Sequence, residues 1–129
     1  MARGTQLSVA LENKPGQLAR VAAAVARAKA NILAISVADS ADMGVVRLVT
    51  SSNAKARAAL KRAGMTAAQT PVILAKLPNK PGALAAAAKK LAAAKVNIEY
   101  AYGSAARIGE PSTIVFGVSD VARAARVKL

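Results

Sequence analysis

Leu11-Glu12-Asn13-Lys14-Pro15-Gly16-Gln17-Leu18 returns 66 residues later as Leu77-Pro78-Asn79-Lys80-Pro81-Gly82-Ala83-Leu84. The match continues without a gap to Asn31-Ile32 and Asn97-Ile98, so residues 11–32 lie over residues 77–98. A two-residue insertion near 108–111 then moves the offset to 68 and brings Val46, Leu48 and Ala54 onto Ile114, Phe116 and Ala122. The chain is a duplication of one unit, 1–70 and 71–129, with too long a period and too few copies for a solenoid.

Each copy reads as the same string of elements. Residues 6–11 alternate in the manner of a short strand, and Lys14-Pro15-Gly16 turns the chain. A helix follows, with Leu18, Val21 and Val25 as an apolar stripe at helical spacing and Arg20 and Arg27 off it, until Ala30-Asn31 ends the run. Residues 32–38 and 45–50 read as a hairpin joined by the polar turn 39–44. Ser51, Ser52 and Asn53 are good N-cap types for a second helix reaching about Arg62, which Gly64 closes. Residues 65–70 form a weak fourth strand before Pro71. The order is βαββαβ, an antiparallel four-stranded sheet with both helices on one face. The second copy repeats it from Val72, with its hairpin running through 103–111 and its second helix starting near Ser119. The sequence then ends at Leu129, too short for a fourth strand. That edge is expected to be missing or supplied by something else.

Composition narrows the function. The chain is 54% hydrophobic but has one Phe, two Tyr and no Trp, so its core is built from Ala, Val, Leu and Ile. Units of this size bury little surface alone and gain from packing together. With no Cys, disulfides and thiolate catalysis are excluded; with no His, the commonest general base and transition-metal ligand are gone. The six carboxylates Glu12, Asp39, Asp42, Glu99, Glu110 and Asp120 are scattered. Asp39 and Asp42 read as turn residues, too few to cage a hard cation. Neither a catalytic set nor a Walker-type phosphate loop is present, so no enzyme activity and no cofactor are expected. No apolar stretch suits a signal peptide or a membrane span, and a cytoplasmic location is expected.

The Asn-x-Pro-Gly-x-Leu motif falls where a strand gives way to a helix. Unpaired N–H groups at a helix start attract a carboxylate, Gly lets a ligand approach the backbone, and Asn offers a donor and an acceptor. Taken once, the motif is a helix-initiating turn with Asn as cap; taken twice, it reads as a ligand loop. Asn31 and Asn97, before apolar strands, are either left-handed helix-terminating residues or ligand contacts.

With Asn-Lys-Pro-Gly-x-Leu and then Ala-x-x-Asn-Ile in both copies, the sequence resembles a tandem pair of ACT domains, the small-molecule-sensing modules of amino-acid metabolism. The similarity covers nearly the whole chain, including residues 35–49 and 96–102. It implies an α+β fold of two ferredoxin-like units side by side, forming a continuous antiparallel sheet of eight strands with helices on one face. It also implies amino-acid ligands in the seam, one site using Asn13 with Asn97 and its mate using Asn79 with Asn31. The expected ligand-binding residues are Leu11, Asn13, Lys14, Pro15, Gly16, Gln17, Leu18, Asn31 and Ile32, with Leu77, Asn79, Lys80, Pro81, Gly82, Ala83, Leu84, Asn97 and Ile98. Two residues before the loop Asn, serine-sensing members often carry His where this chain has Leu11 and Leu77, which suits a more apolar ligand or a weaker site. Glu99 and Tyr100 match Leu33 and Ala34, so the two sites are not equivalent. A small-molecule ligand, an enzyme partner and a homo-oligomer are the implied partners, with no membrane.

Nucleic-acid binding is the alternative. Nineteen basic against six acidic residues give a net charge of +13, which attracts polyanions. Many of these charges (Arg20, Arg27, Lys29, Lys55, Arg57, Lys61, Arg62, Lys89, Lys90, Lys95) fall on outer helix faces, where a solvated surface is the simpler reading. RNA-recognition domains of the same βαββαβ order stack bases on aromatics of the central strands. Strands 6–11, 45–50 and 72–77 contain none. Tyr100 and Tyr102 read as seam or core residues.

Overall fold

A computed structural model describes residues 1–40, 43–104 and 106–129; Ala41 and Asp42 of the first expected hairpin turn and Ala105 of the second lie outside the described residues. Along the chain run β1 (Ala2–Glu12), α1 (Gln17–Arg27), β2 (Ile32–Ser40), β3 (Met43–Thr50), α2 (Asn53–Arg62), β4 (Ala67–Pro78), α3 (Ala83–Ala93), β5 (Ile98–Gly103), β6 (Pro111–Val118) and α4 (Val121–Ala125). They form two compact units: Thr5–Thr70, and Pro71–Leu129 together with Met1–Gly4.

In the Thr5–Thr70 unit the strand order is β2-β3-β1, all antiparallel, with Leu7 opposite Leu48, Val9 opposite Val46 and Ile35 opposite Leu48. Side chains directly opposite in a ladder share a face. The alternation of β1 and β3 therefore gathers Leu7, Val9, Leu11, Val46 and Leu48 on one side, where Val21, Ala24 and Val25 of α1 and Ala56, Ala59 and Leu60 of α2 cover them. Beyond the helices, Ile35 and Val37 of the outer strand stay exposed.

The buried stripe of α1 is Gln17, Val21, Ala24 and Val25, and Leu18 stands off it, 46% exposed. Val21 and Val25 satisfy both registers of a 3.6-residue period, so periodicity alone could not choose between Gln17 and Leu18. Gln17 turns inward because Arg20 Nη1 donates to its Oε1 at 3.0 Å, which removes the penalty for burying that oxygen.

The other unit has the order β4-β6-β5, with Ile73 opposite Phe116 and Ala75 opposite Ile114. Its core is Ile73, Ala75, Leu77, Phe116 and Val118 against Ala87 and Leu91 of α3 and Ala124 of α4. Eight strands are expected and six occur among the described residues. The expected fourth strand of the first copy and first strand of the second are a single strand, β4, which runs through an exposed Pro71; a proline is tolerated where its missing N–H costs no ladder bond. Residues 126–129 form no strand. The vacant position is taken by the start of β1: Met1 packs against this core, and Gly4 lies so close to Leu74 that a Cβ would come 2.5 Å from its Cδ1. In the same way β4 begins in the first unit, with Ala67 in that core.

Helices α1, α2 and α3 end alike. The two residues after each C-cap bond back to the last turn: Lys29 to Ala26 and Ala30 to Val25, Gly64 to Lys61 and Met65 to Leu60, Lys95 to Ala92 and Val96 to Leu91. This Schellman pattern needs a left-handed residue. Gly64 supplies it at φ 83, but Lys29 and Lys95 occupy it at φ 57 and 59. The terminating role considered for Asn31 and Asn97 thus falls two residues earlier. Lys29→Gly and Lys95→Gly are each expected to raise stability, by up to about 1 kcal/mol, read as an upward shift of the urea midpoint at unchanged slope.

Candidate functional site

Both Asn-Lys-Pro-Gly loops have the same backbone. Gly16 and Gly82 are the N-caps of α1 and α3, at φ 89 and 87, and neither helix receives a side-chain cap. In each loop the Lys N–H bonds the carbonyl two residues back, Lys14 to Glu12 at 3.0 Å and Lys80 to Pro78 at 2.9 Å. The reading of the loop Asn as helix cap is therefore corrected: a glycine takes that place because the chain enters the helix through a left-handed residue, which disfavours a Cβ. That requirement alone accounts for glycine in both copies. What the loop leaves is a helix start with no side-chain cap from its N-cap residue among the described residues, a place suited to a carboxylate.

The surroundings of the two loops differ. Beside the first, within the Thr5–Thr70 unit, a cavity of about 150 Å³ is lined by Leu11, Asn13, Lys14, Gln17 and Leu18 of the expected set. It is also lined by Glu12, Val37, Ala38, Asp39, Gly44 and Val46, which the motif alone does not assign. Two carboxylates, a lysine and two amides meet apolar walls in a space of roughly five water volumes. Lys14 Nζ lies 3.3 Å from Glu12 Oε2, both side chains well exposed. The scattered carboxylates converge through the ladders: Glu12 is opposite Met43, while Leu11 and Asp39 are both opposite Gly44, so the ends of β1 and β2 flank the start of β3. Pro15, Gly16, Asn31 and Ile32 do not line this cavity.

Beside the second loop a cavity of about 210 Å³ is lined by Leu77, Lys80 and Ala83, with Pro78, Ala86, Ala87, Lys90 and Leu129. It holds two lysines and no carboxylate side chain. Asn79 is elsewhere: its Nδ2 donates to Ala106 O, its N–H to Glu110 O, and its carbonyl accepts from Gly109, each at 2.8 Å. It clasps the segment between β5 and β6. Pro81, Gly82, Leu84, Asn97 and Ile98 are also outside this cavity, and Leu84 is 53% exposed.

Asn31 and Asn97 share one geometry. Asn31 N–H bonds Ser51 Oγ at 2.8 Å and its carbonyl accepts from Ser51 N–H at 2.9 Å. Asn97 does the same with Ser119, at 3.1 and 3.0 Å. Backbone pairing holds these residues at the mouth of β2 and β5 with exposed side chains, while Ile32 and Ile98 pack against the cores. The expected N-cap role of Ser52 is met, its side chain accepting from Lys55 N–H, and Asp120 repeats it for α4 with Arg123. Tyr100 and Tyr102 stack on each other, centroids 6.5 Å apart at 16°.

Strand order, helix placement and the twice-used strand-to-helix loop define a pair of ferredoxin-like α+β units. The sequence matches the ACT domain pair family over residues 3–129, and the chain belongs to that family. It is similar to the crystal structure of protein BT0572 from Bacteroides thetaiotaomicron, at 35% identity over 97% of this chain and 85% of that one, with a TM-score of 0.87. It shares the fold of the ligand-free regulatory subunit of aspartate kinase from Thermus thermophilus, at 15% identity over 98% and 92% of the two chains and a TM-score of 0.69. The corresponding subunit from Thermus flavus aligns at 18% identity over 98% and 92%, with a TM-score of 0.61. No curated protein matches the chain. No helix among the described residues is long and apolar enough to cross a membrane.

Proposed function

We propose that the chain is an amino-acid-binding regulatory module, and that the Asn13-Lys14-Pro15-Gly16 loop forms the ligand site of the Thr5–Thr70 unit. The observation behind this reading is the cavity beside that loop, which places both signs of charge around a small apolar space. An amino acid has matching parts. Its carboxylate meets Lys14 and the uncapped start of α1, its ammonium meets Glu12 or Asp39, and a short side chain faces Leu11, Leu18, Val37 and Val46. With leucine at position 11 this wall is apolar, which favours a ligand without a polar side chain.

The Asn79-Lys80-Pro81-Gly82 loop with Ala83 and Leu84 is its counterpart. Asn31 and Asn97, held at the mouths of their strands, are included as contacts that present an exposed amide. The signal would pass to a separate catalytic partner, in a cytoplasmic homo-oligomer. Membership of the ACT domain pair family supports a regulatory role, and the two Thermus proteins that share the fold are regulatory subunits of aspartate kinase.

A thermal-shift screen of the common amino acids tests this. One of them at a hundred times its dissociation constant is expected to add about 2.7 kcal/mol of stability. Asp39→Asn and Asn13→Ala are expected to weaken that amino acid about tenfold or more, since a hydrogen bond to a charged group contributes about 1.5–3 kcal/mol, with the unfolding midpoint of the free protein little changed. No shift with any amino acid, in protein that unfolds cooperatively, would sink the proposal.

A further inference from the structure

A concavity of the Thr5–Thr70 unit lies away from the loop just described, between α2 and the start of β4. It measures about 470 Å³ and is lined by Arg57 and Lys61 with Thr66 and Gln69, over a floor that includes Ala54 and Ala58. That is the size of a small-molecule pocket. Arg57 and Lys61 are one helical turn apart and share a face. Arg57 Nε donates to Ala67 O at 3.0 Å. This bond fixes the plane of the guanidinium and leaves its two terminal amino groups to form the bidentate fork that fits an oxyanion. Thr66 adds a hydroxyl and Gln69 an amide at the same wall, and the alanine floor lets a ligand approach the helix.

The charge around the cleft is uncompensated. Helix α2 has Lys55, Arg57, Lys61 and Arg62 and no acidic residue. The pairs Lys14 with Glu12 and Arg123 with Asp120 lie elsewhere, and among the described residues no salt bridge is seen to the cations of this helix. Two adjoining concavities of about 410 and 380 Å³ extend the basic lining over Lys55, Arg62 and Arg27. A monovalent carboxylate would leave most of this charge unmatched, whereas a phosphate chain matches several cations at once.

We infer that the cleft between α2 and the start of β4 is a second binding site, for a small molecule carrying linked phosphates. Arg57 grips one phosphate bidentately, Lys61 neutralises the next, and Thr66 and Gln69 hydrogen-bond their oxygens. This site is independent of the amino-acid reading and stands or falls without it.

Titration calorimetry with tripolyphosphate, and with a nucleoside triphosphate free of metal, tests the assignment. Saturable one-to-one binding is expected. Lys61→Glu should weaken it at least about tenfold, as should Arg57→Gln. Because Arg57 also bonds the backbone, its variant is read together with the unfolding midpoint, and Lys61→Glu carries the decision. Lys89→Glu, the same charge change in the other unit, should leave the affinity within about twofold. An equal loss in Lys89→Glu would reduce the effect to net charge and overturn the site. Absence of tripolyphosphate binding would also overturn it, as would a short DNA duplex that binds and is not displaced by tripolyphosphate.

Discussion

Replacing Phe116 with alanine is expected to remove about 3–5 kcal/mol of stability. Phe116 is 1% exposed and sits opposite Ile73 in the ladder of β4 and β6, in a core otherwise made of alanine, valine, leucine and isoleucine with the edge of Met1. Domains are stable by only about 5–15 kcal/mol in total, so the loss is a large fraction. Urea unfolding followed by circular dichroism is expected to show a much lower midpoint, with the Pro71–Leu129 unit unfolding first. Leu48, the matching residue of the first copy, is equally buried, and Leu48→Ala should cost about 2–5 kcal/mol by the same argument. If Phe116→Ala lost under about 1 kcal/mol, the core described for this unit would be wrong.

Gly117→Ala is expected to cost about 3 kcal/mol, an unusual penalty for one methyl group. Tyr100 lies across the ladder from Gly117, with its ring folded over the glycine so that a Cβ would fall 2.2 Å from Cζ and 2.3 Å from Cε1. The whole ring must move, and with it the stack on Tyr102. Tyr100→Ala should cost less on its own, and the double variant should be more stable than the sum of the two, because removing the ring removes the clash. With no tryptophan in the chain, the near-ultraviolet signal of the two tyrosines reports the displacement directly. Additive costs in this cycle would rule out the contact as the cause.

Much of the fold is legible in local sequence because the forces that set it are local. Ser52, three residues before the N–H that it caps, and Gly64, in the left-handed place after α2, follow from chemistry within one turn of helix. The alternation of β1 and β3 points to the core face without knowledge of their partners. The candidate site was less legible. Leu11, Asn13, Lys14, Gln17 and Leu18 share the first cavity as the motif suggests, but Glu12 and Asp39 join them only through the pairing of three strands. Asn79 illustrates the opposite limit: its motif is the same as that of Asn13, yet its amide is spent on Ala106, in a hairpin that the first copy matches only with a gap.

The duplication, the family and the order of elements up to the junction of the two copies are legible in the sequence alone, since repeats, caps and periodicity are written in neighbouring residues. Tertiary structure alone decided three things. It chose Gln17 over Leu18 for the core, because a hydrogen bond from Arg20 makes the polar side chain cheap to bury. It ran β4 unbroken through Pro71. It also placed Met1–Gly4 in the unit of Pro71–Leu129, a pairing of residues so far apart in the chain that no local pattern encodes it.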